Sequence, residues 1–193
     1  MKFILLLILA IIISYSISND NELKLWNFLR EKTSLTEEGA AALMGNLYAQ
    51  SGLKSDIYDI ADHPKLGLTD SEYVDQINSG QYPITQFEND NIGFGLALWR
   101  DIIRKQHLFA LCMNKVGDFY CQLNYIVFEI ENKFYDLDFS SLYSLLISSH
   151  NIWECNLAIM KDYLKIDPPS YEEIFRRQQF AKGYYNTYAS KDK

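Results

Sequence analysis

The sequence is poor in the residues that interrupt regular structure, and it is short of positive charge. Its 193 residues include 4 Pro and 9 Gly, too few for a low-complexity or collagen-like chain. The 18 basic residues against 25 acidic ones give a formal charge of −7, which argues against a protein that neutralises nucleic-acid phosphates. Because 48% of the residues are hydrophobic and the net charge is modest, intrinsic disorder is excluded. The length suits one domain with a real core.

The chain has one long hydrophobic run, and it lies at the start. Residues 3–13 are apolar without a break and follow Lys2. This run is too short to span a bilayer and is typical of a secretory signal peptide, with an N-terminal membrane anchor as the alternative. The small side chain of Ser18 favours cleavage after it, so the sequence predicts a signal peptide over residues 1–18. The mature chain, residues 19–193, is expected to be secreted or to lie in a secretory-vesicle lumen, with no further membrane contact.

Cysteine and histidine are scarce. Cys112, Cys121 and Cys155 allow at most one disulfide within a monomer. The most plausible pair is Cys112 with Cys121, across a predicted turn at residues 115–117, and three buried thiols are the alternative. The three histidines are isolated and complete no metal-ligand motif with these cysteines, so neither a metal nor another cofactor is expected.

Apolar residues recur at helical spacing along most of the chain. Thr36 and two following glutamates predict the start of a helix that Gly52 ends. Thr69 and Glu72 predict a capping box, and Asp118 is placed to cap a helix. Further helices are predicted at residues 23–29, 96–113, 152–164 and 171–185, with a short one after Asp138 and a loop at residues 51–64. The pattern predicts a mainly α fold in a single domain.

The helix that ends at Gly52 carries the most informative position. Leu43, Leu47 and Gln50 share one face at ~100° per residue, and that face must be buried. Because Gln50 lies in the last turn, its side chain is expected to enter a cleft and stay largely dry. A carboxylic acid there would have a raised pKa and could act as a general acid, but the residue is an amide. A glutamine that hydrogen-bonds at the helix end is the alternative interpretation.

Three segments resemble the phage tail-tip lysozyme family. Residues 45–53 read GNLYAQSGL, close to the family pattern GN-(I/L)-x-A-E-S-G-(F/L). Residues 93–99, GFGLALW, are similar to GYGLAQW, and residues 117–129, GDFYCQLNYIVFE, resemble a third family helix. The motifs stand in the family's order, and the likeness covers about residues 26–185. The resemblance implies a lysozyme-like helical domain that cleaves peptidoglycan glycan strands.

Two departures from the family pattern concern the chemistry. The family's catalytic glutamate falls on Gln50, and the glutamine of GYGLAQW falls on Leu98. Glycoside hydrolysis needs a proton for the leaving oxygen, which an amide does not carry near neutral pH. Loss of a positioned acid costs ~10²–10⁴ in rate. The sequence therefore indicates a lysozyme-like protein with weak or lost catalysis, a pseudoenzyme.

Other side chains are candidates for the same cleft. Asp56 and Glu88 could supply a replacement acid or bind sugar, although solvated loop acids are the alternative. Tyr48, Phe94 and Trp99 could stack on sugar rings or pack in the core. The expected partner is peptidoglycan or a related glycan strand. A non-catalytic glycan- or protein-binding module on the same fold is the alternative function.

Overall fold

The structure, a computed structural model, describes residues 20–133 and 137–189, and these residues are mainly helical. Two isolated bridges pair Phe94 with Tyr58 and with Trp99. The predicted signal peptide lies outside the described residues. The helices are α1 (20–32), α2 (Glu37–Ser51), α3 (His63–Leu66), α4 (Asp70–Ser79), α5 (Ile84–Asn89), α6 (Ile102–Cys112), α7 (Phe119–Glu131), α8 (Ser140–Leu146), α9 (Ile152–Ala158) and α10 (Tyr171–Tyr188).

Two shorter turns complete the helical part. A 3₁₀ turn, Ile60–Asp62, leads into α3, and a π-helical turn, Ile159–Tyr163, continues α9. These elements enclose one hydrophobic core, so the predicted mainly α, single-domain fold is confirmed. None of the helices within residues 20–133 and 137–189 has both the length and the apolar content needed to cross a bilayer.

Helix α2 forms the centre of this core. Its residues 39–47 are buried on every side, as expected for a helix that is apolar around its whole circumference. The Thr36 side chain accepts a hydrogen bond from the backbone N–H of Gly39, and Gly52 closes the helix with φ of 62°. Both predicted ends of this helix are therefore confirmed, and Gln50 is fixed in its last turn.

The last helix, α10, packs along α2 in the opposite direction, with α9 beside the pair. The two helices approach so closely at Gly45 that an added Cβ there would lie 2.5 Å from the backbone nitrogen of Ala181. Glycine in the GN motif is therefore required by helix packing. The antiparallel arrangement carries the first turns of α10 past the C-terminal end of α2, next to Gln50.

Several local predictions are confirmed. Thr69 and Glu72 form a reciprocal capping box on α4, and the Asp118 side chain accepts from the backbone N–H of Cys121 at the start of α7. Cys112 and Cys121 form a disulfide with a Cα separation of 5.8 Å, and Cys155 is a buried free thiol.

The predicted helix over residues 96–113 begins too early. In the structure α6 starts at Ile102, where the Asp101 side chain accepts from the backbone N–H of Arg104. The preceding residues form a tight loop because Phe94 and Trp99 exchange two backbone hydrogen bonds, of 3.1 and 2.9 Å. Positive φ angles at Gly95 (70°) and Leu98 (49°) are incompatible with a right-handed helix. The predicted loop over residues 51–64 likewise contains the 3₁₀ turn.

Candidate functional site

The side chain of Gln50 is half-buried and held on two sides. Its Oε1 accepts a hydrogen bond of 2.5 Å from Nη2 of Arg177 on α10. Its Nε2 donates a long hydrogen bond of 3.5 Å to the backbone oxygen of Ala97. The end of α2 thus meets both α10, through Arg177, and the loop over residues 93–99, through Ala97.

Arg177 is the principal residue that sequence reasoning missed. It is 2% exposed, and its Nη1 donates to the backbone oxygen of Asn46 at 2.9 Å. Its Nε donates at 2.7 Å to Glu173, one helical turn earlier. Burial lowers the pKa of Arg177 below its ordinary value, and the neighbouring Glu173 carboxylate opposes that effect. The sequence could have shown Arg177 as an arginine at helical spacing from the buried Ala181 and Tyr184 of α10. That spacing does not reveal that its partner is Gln50.

Glu173 is the carboxylate partner of Arg177, the residue that hydrogen-bonds to Gln50. Burial alone would raise its pKa, but hydrogen bonds from Arg176 and Arg177 bring the pKa below its ordinary value. The group is therefore an ionised partner of the two guanidinium groups.

The loop over residues 93–99 is fastened by the side chain of Gln122. Its Oε1 accepts from the backbone N–H of Leu96 at 2.8 Å, and its Nε2 donates to the backbone oxygens of Ser55 and Val116. An added Cβ at Gly95 would lie 2.5 Å from the Gln122 side chain. The second and third motifs of the sequence therefore meet where Gln122 binds Leu96, and this contact holds the loop whose Ala97 carbonyl accepts from Gln50.

Leu98 lies in this loop, next to the residue that contacts Gln50. It is half-buried, and its Cβ would be 3.2 Å from a Cβ added at Gly93. An apolar side chain therefore occupies the position of the family's glutamine, one residue after the Ala97 carbonyl that accepts from Gln50.

The aromatic candidates have different environments. Phe94 is 0% and Trp99 1% exposed, so neither ring presents a face on which a sugar could stack. The core-packing alternative holds for both. Tyr48 is half-buried and makes an edge contact with Phe180, with ring centroids 4.6 Å apart. It keeps part of its surface accessible.

Glu129, the acid of the third motif, has a structural environment. It accepts a bidentate pair of hydrogen bonds from Arg104, at 2.6 and 2.9 Å. Trp99 Nε1 donates to it at 3.0 Å and the Tyr163 hydroxyl at 2.6 Å. With four donors and 4% exposure, this carboxylate connects α6, α7 and the π-helical turn rather than facing a substrate.

The remaining predicted acids lie in different surroundings. Asp56 is exposed and lines an open polar depression of about 660 Å³, whose lining does not include Gln50. Glu88 is half-buried and accepts from Nε2 of Gln106 at 3.3 Å, where α5 meets α6. The depression is lined by Asn21, Lys54, Ser55, Asp56, Ile57, Thr69, Asp70, Ser71, Gly117, Asp118 and Phe119.

No group of three metal-ligating side chains is found in the part of the chain that the structure describes. A comparison with curated proteins and one with solved structures each find no match. A comparison with protein families does find one, and it agrees with the helical fold and with the three sequence motifs. The model of the phage tail lysozyme family matches residues 20–188, nearly the whole chain, and the protein therefore belongs to this lysozyme-like family, whose activity at family level is the cleavage of peptidoglycan.

Proposed function

We propose that this protein is a secreted member of the family that binds peptidoglycan or a related glycan and has lost most or all of its cleavage activity. The observation that carries the proposal is the environment of Gln50. Its amide accepts from Arg177 on one side and donates to the Ala97 carbonyl on the other. An amide matches a donor and an acceptor together, whereas an ionised carboxylate only accepts.

The described acids considered as replacements have surroundings that do not favour a proton. A general acid of a glycosidase is kept protonated by a desolvated site. Glu173 is ionised by its two arginines, and Asp56 is exposed to water. Glu88 is engaged with Gln106 at the junction of α5 and α6. The surroundings of these acids therefore support a binding protein over an enzyme with a replacement acid.

The polar depression beside Asp56 offers a surface for sugar hydroxyls. Asp56 and Asp70 supply carboxylate acceptors there, and Lys54 and Ser71 supply donors. Together these groups could exchange hydrogen bonds with several hydroxyls of one sugar. Secretion is supported by the Cys112–Cys121 disulfide, since such bonds form and persist in oxidising compartments.

The proposal is tested by measuring binding and cleavage separately. We expect wild-type protein to co-sediment with insoluble peptidoglycan and to release no reducing ends above background, with an active lysozyme as positive control. Asp56→Asn should weaken co-sedimentation several-fold. Asp75→Asn, the same change at an exposed position on α4, should leave it unchanged.

Two outcomes would contradict the proposal. Robust cleavage by wild type, abolished by Asp56→Asn or Glu88→Gln, would identify an enzyme with a replacement acid. Failure of wild type to co-sediment would favour the alternative, a protein-binding module on the same fold.

A further inference from the structure

The guanidinium group beside Gln50 is fixed in place. Arg177 Nη2 lies 2.5 Å from Gln50 Oε1, while its Nε and Nη1 are bonded to Glu173 and to the backbone of Asn46. The side chain is 2% exposed, and all three of its guanidinium nitrogens are engaged by these partners. Arginine keeps its charge in proteins. Any group at position 50 therefore faces a permanent cation.

The cation is not cancelled by its surroundings. Arg177 is the charged group bonded to Gln50 in the described chain, and it is paired with Glu173, which also binds Arg176. Glu173 is shared between the two arginines, at 2.7 Å from Arg177 and 2.9 Å from Arg176. Because Glu173 is divided between two cations, it neutralises Arg177 only in part, and the group in direct contact with the amide is the cation Arg177. The other partner at position 50, the Ala97 carbonyl, is only a dipole.

Two opposing effects would act on a carboxyl at this position. Full burial can raise a carboxyl pKa by up to ~3–5 units, but Gln50 is only half-buried. An opposite charge within ~4–6 Å lowers a carboxyl pKa by ~1–3 units, and here the contact is direct. The charge effect therefore exceeds the burial effect. The expectation from burial alone, a raised pKa at the end of α2, is reversed by Arg177.

We infer that Arg177 is a positioning residue that adapts position 50 to a neutral amide, so that a carboxyl introduced there stays ionised until the cation is removed as well. The inference rests on the proposed function in one respect, since it explains why a single substitution does not restore a general acid. A general acid must hold a proton near the working pH. Gln50→Glu alone supplies an ion-paired carboxylate, and Gln50→Glu with Arg177→Met supplies a partly buried carboxyl without its counter-ion.

The first measurement follows the introduced carboxyl itself. In a carbon-13 NMR titration of Gln50→Glu, the additional glutamate resonance should titrate below the ordinary value of about 4.3. In Gln50→Glu with Arg177→Met it should titrate at least one pH unit higher than in the single variant. Gln50→Glu with Glu173→Gln is the matched control, because it alters the same cluster but keeps the cation, and its midpoint should be no higher than that of the single variant.

A single-variant midpoint above the ordinary value would overturn the inference. This measurement needs no change at Arg177, so it decides the question even if Arg177→Met does not fold. Arg177→Gln, which removes the charge but keeps a side chain able to donate to position 50, serves as a second neutral variant and should give the same upward shift.

The second measurement is release of reducing ends from peptidoglycan. We expect no gain over wild type in Gln50→Glu and a measurable gain in the double variant with Arg177→Met. A full gain in Gln50→Glu alone would also overturn the inference. If the midpoint moves upward in the double variant without any cleavage, the role of Arg177 stands, and what fails is the binding of a glycan strand across position 50; co-sedimentation tests the depression beside Asp56 separately.

Discussion

Gly45 and Ala181 set the distance between the two central helices. A Cβ at Gly45 would lie within 3 Å of the nitrogen, Cα and Cβ of Ala181, and two of these are backbone atoms that cannot turn aside. Gly183, further along α10, has nothing within 4 Å of an added Cβ. Two glycines of the same helix pair therefore have opposite structural roles.

We expect Gly45→Ala to lower the free energy of unfolding by about 2–3 kcal/mol, because overpacking against a rigid backbone forces the helices apart. Gly183→Ala should raise it by roughly 0.5–1 kcal/mol, since alanine loses less conformational entropy in a helix than glycine. Urea denaturation of both variants measures the two effects. Equal stabilities for Gly45→Ala and wild type would mean that α10 does not pack against α2 at Gly45.

The sequence located Gln50 but not Arg177, the buried residue that hydrogen-bonds to it. The helical spacing of Leu43, Leu47 and Gln50 is a local property, and it correctly places Gln50 at the end of a buried face. Arg177 lies 127 positions further along the chain, and only tertiary packing brings it to 2.5 Å from the amide. The burial of Phe94 and Trp99 has the same cause, since a motif gives their order but not their depth.

At the scale of elements, the loop before α3 is held by Asp62. This side chain is 1% exposed and binds Lys65, Arg100 and the backbone N–H of Gly93. Burial would raise its pKa, but these three partners together lower it below the ordinary value. The ionised form is thus favoured in the folded state, and the loop is joined to residues 93–99 through this carboxylate.

The pH dependence follows from that shift. A carboxyl whose folded-state pKa is lowered contributes stability above its ordinary pKa, and this stability is lost as the pH falls through the folded-state pKa. The free energy of unfolding should therefore decrease as the pH drops below about 4. Asp62→Asn should be less stable than wild type at pH 7 and lose less stability on acidification. Asp75→Asn, exposed on α4, is the control. Parallel acid profiles for wild type and Asp62→Asn would refute the assignment.

The disulfide joins the end of α6 to the start of α7. Because Cys155 is 0% exposed, thiol labelling should modify no cysteine in the native protein, one after unfolding and all three after reduction. Replacing both Cys112 and Cys121 by serine should lower the free energy of unfolding by about 2–3 kcal/mol, the entropic effect of a loop this short. Three reactive thiols in the unfolded, unreduced protein would show that the bond does not form.

Helix ends were predictable where their signals are local. The caps at Thr36, Thr69 and Asp118 and the stop at Gly52 depend on residues within one turn, and the structure contains all four. The start of α6 was not predictable in this way. Residues 96–101 have apolar spacing that suits a helix, but Gln122 and the pairing of Phe94 with Trp99 hold them in a loop. Helices α3 and α5, of 4 and 6 residues, are too short for their apolar residues to show a helical period, so the sequence does not predict them.

At the scale of the whole molecule, the distribution of charge opposes the proposed ligand. The chain carries −7, and loss of residues 1–18 would remove Lys2 and make it one unit more negative. Several of its cations are also used internally. Arg104, Lys105 and Arg177 are buried in ion pairs with Glu129, Asp90 and Glu173. Each of these pairs removes one charge of either sign, so the net negative charge is unchanged by them and opposes approach to an anionic bacterial wall.

Salt should consequently strengthen binding to such a wall. Ions screen the repulsion between like charges, and the screening length falls from ~30 Å at ~0.01 M to under ~10 Å at ~0.2 M ionic strength. We expect the amount of protein that co-sediments with peptidoglycan carrying anionic polymers to rise several-fold over this range. Co-sedimentation with a neutral polymer of N-acetylglucosamine should stay nearly constant, because hydrogen bonds to uncharged sugars respond weakly to salt.

A cationic lysozyme measured in parallel should show the reverse trend on the anionic wall. If binding of this protein also falls as salt is added, a positively charged contact surface must exist despite the net charge, and the polar depression beside Asp56 would not be the site of binding.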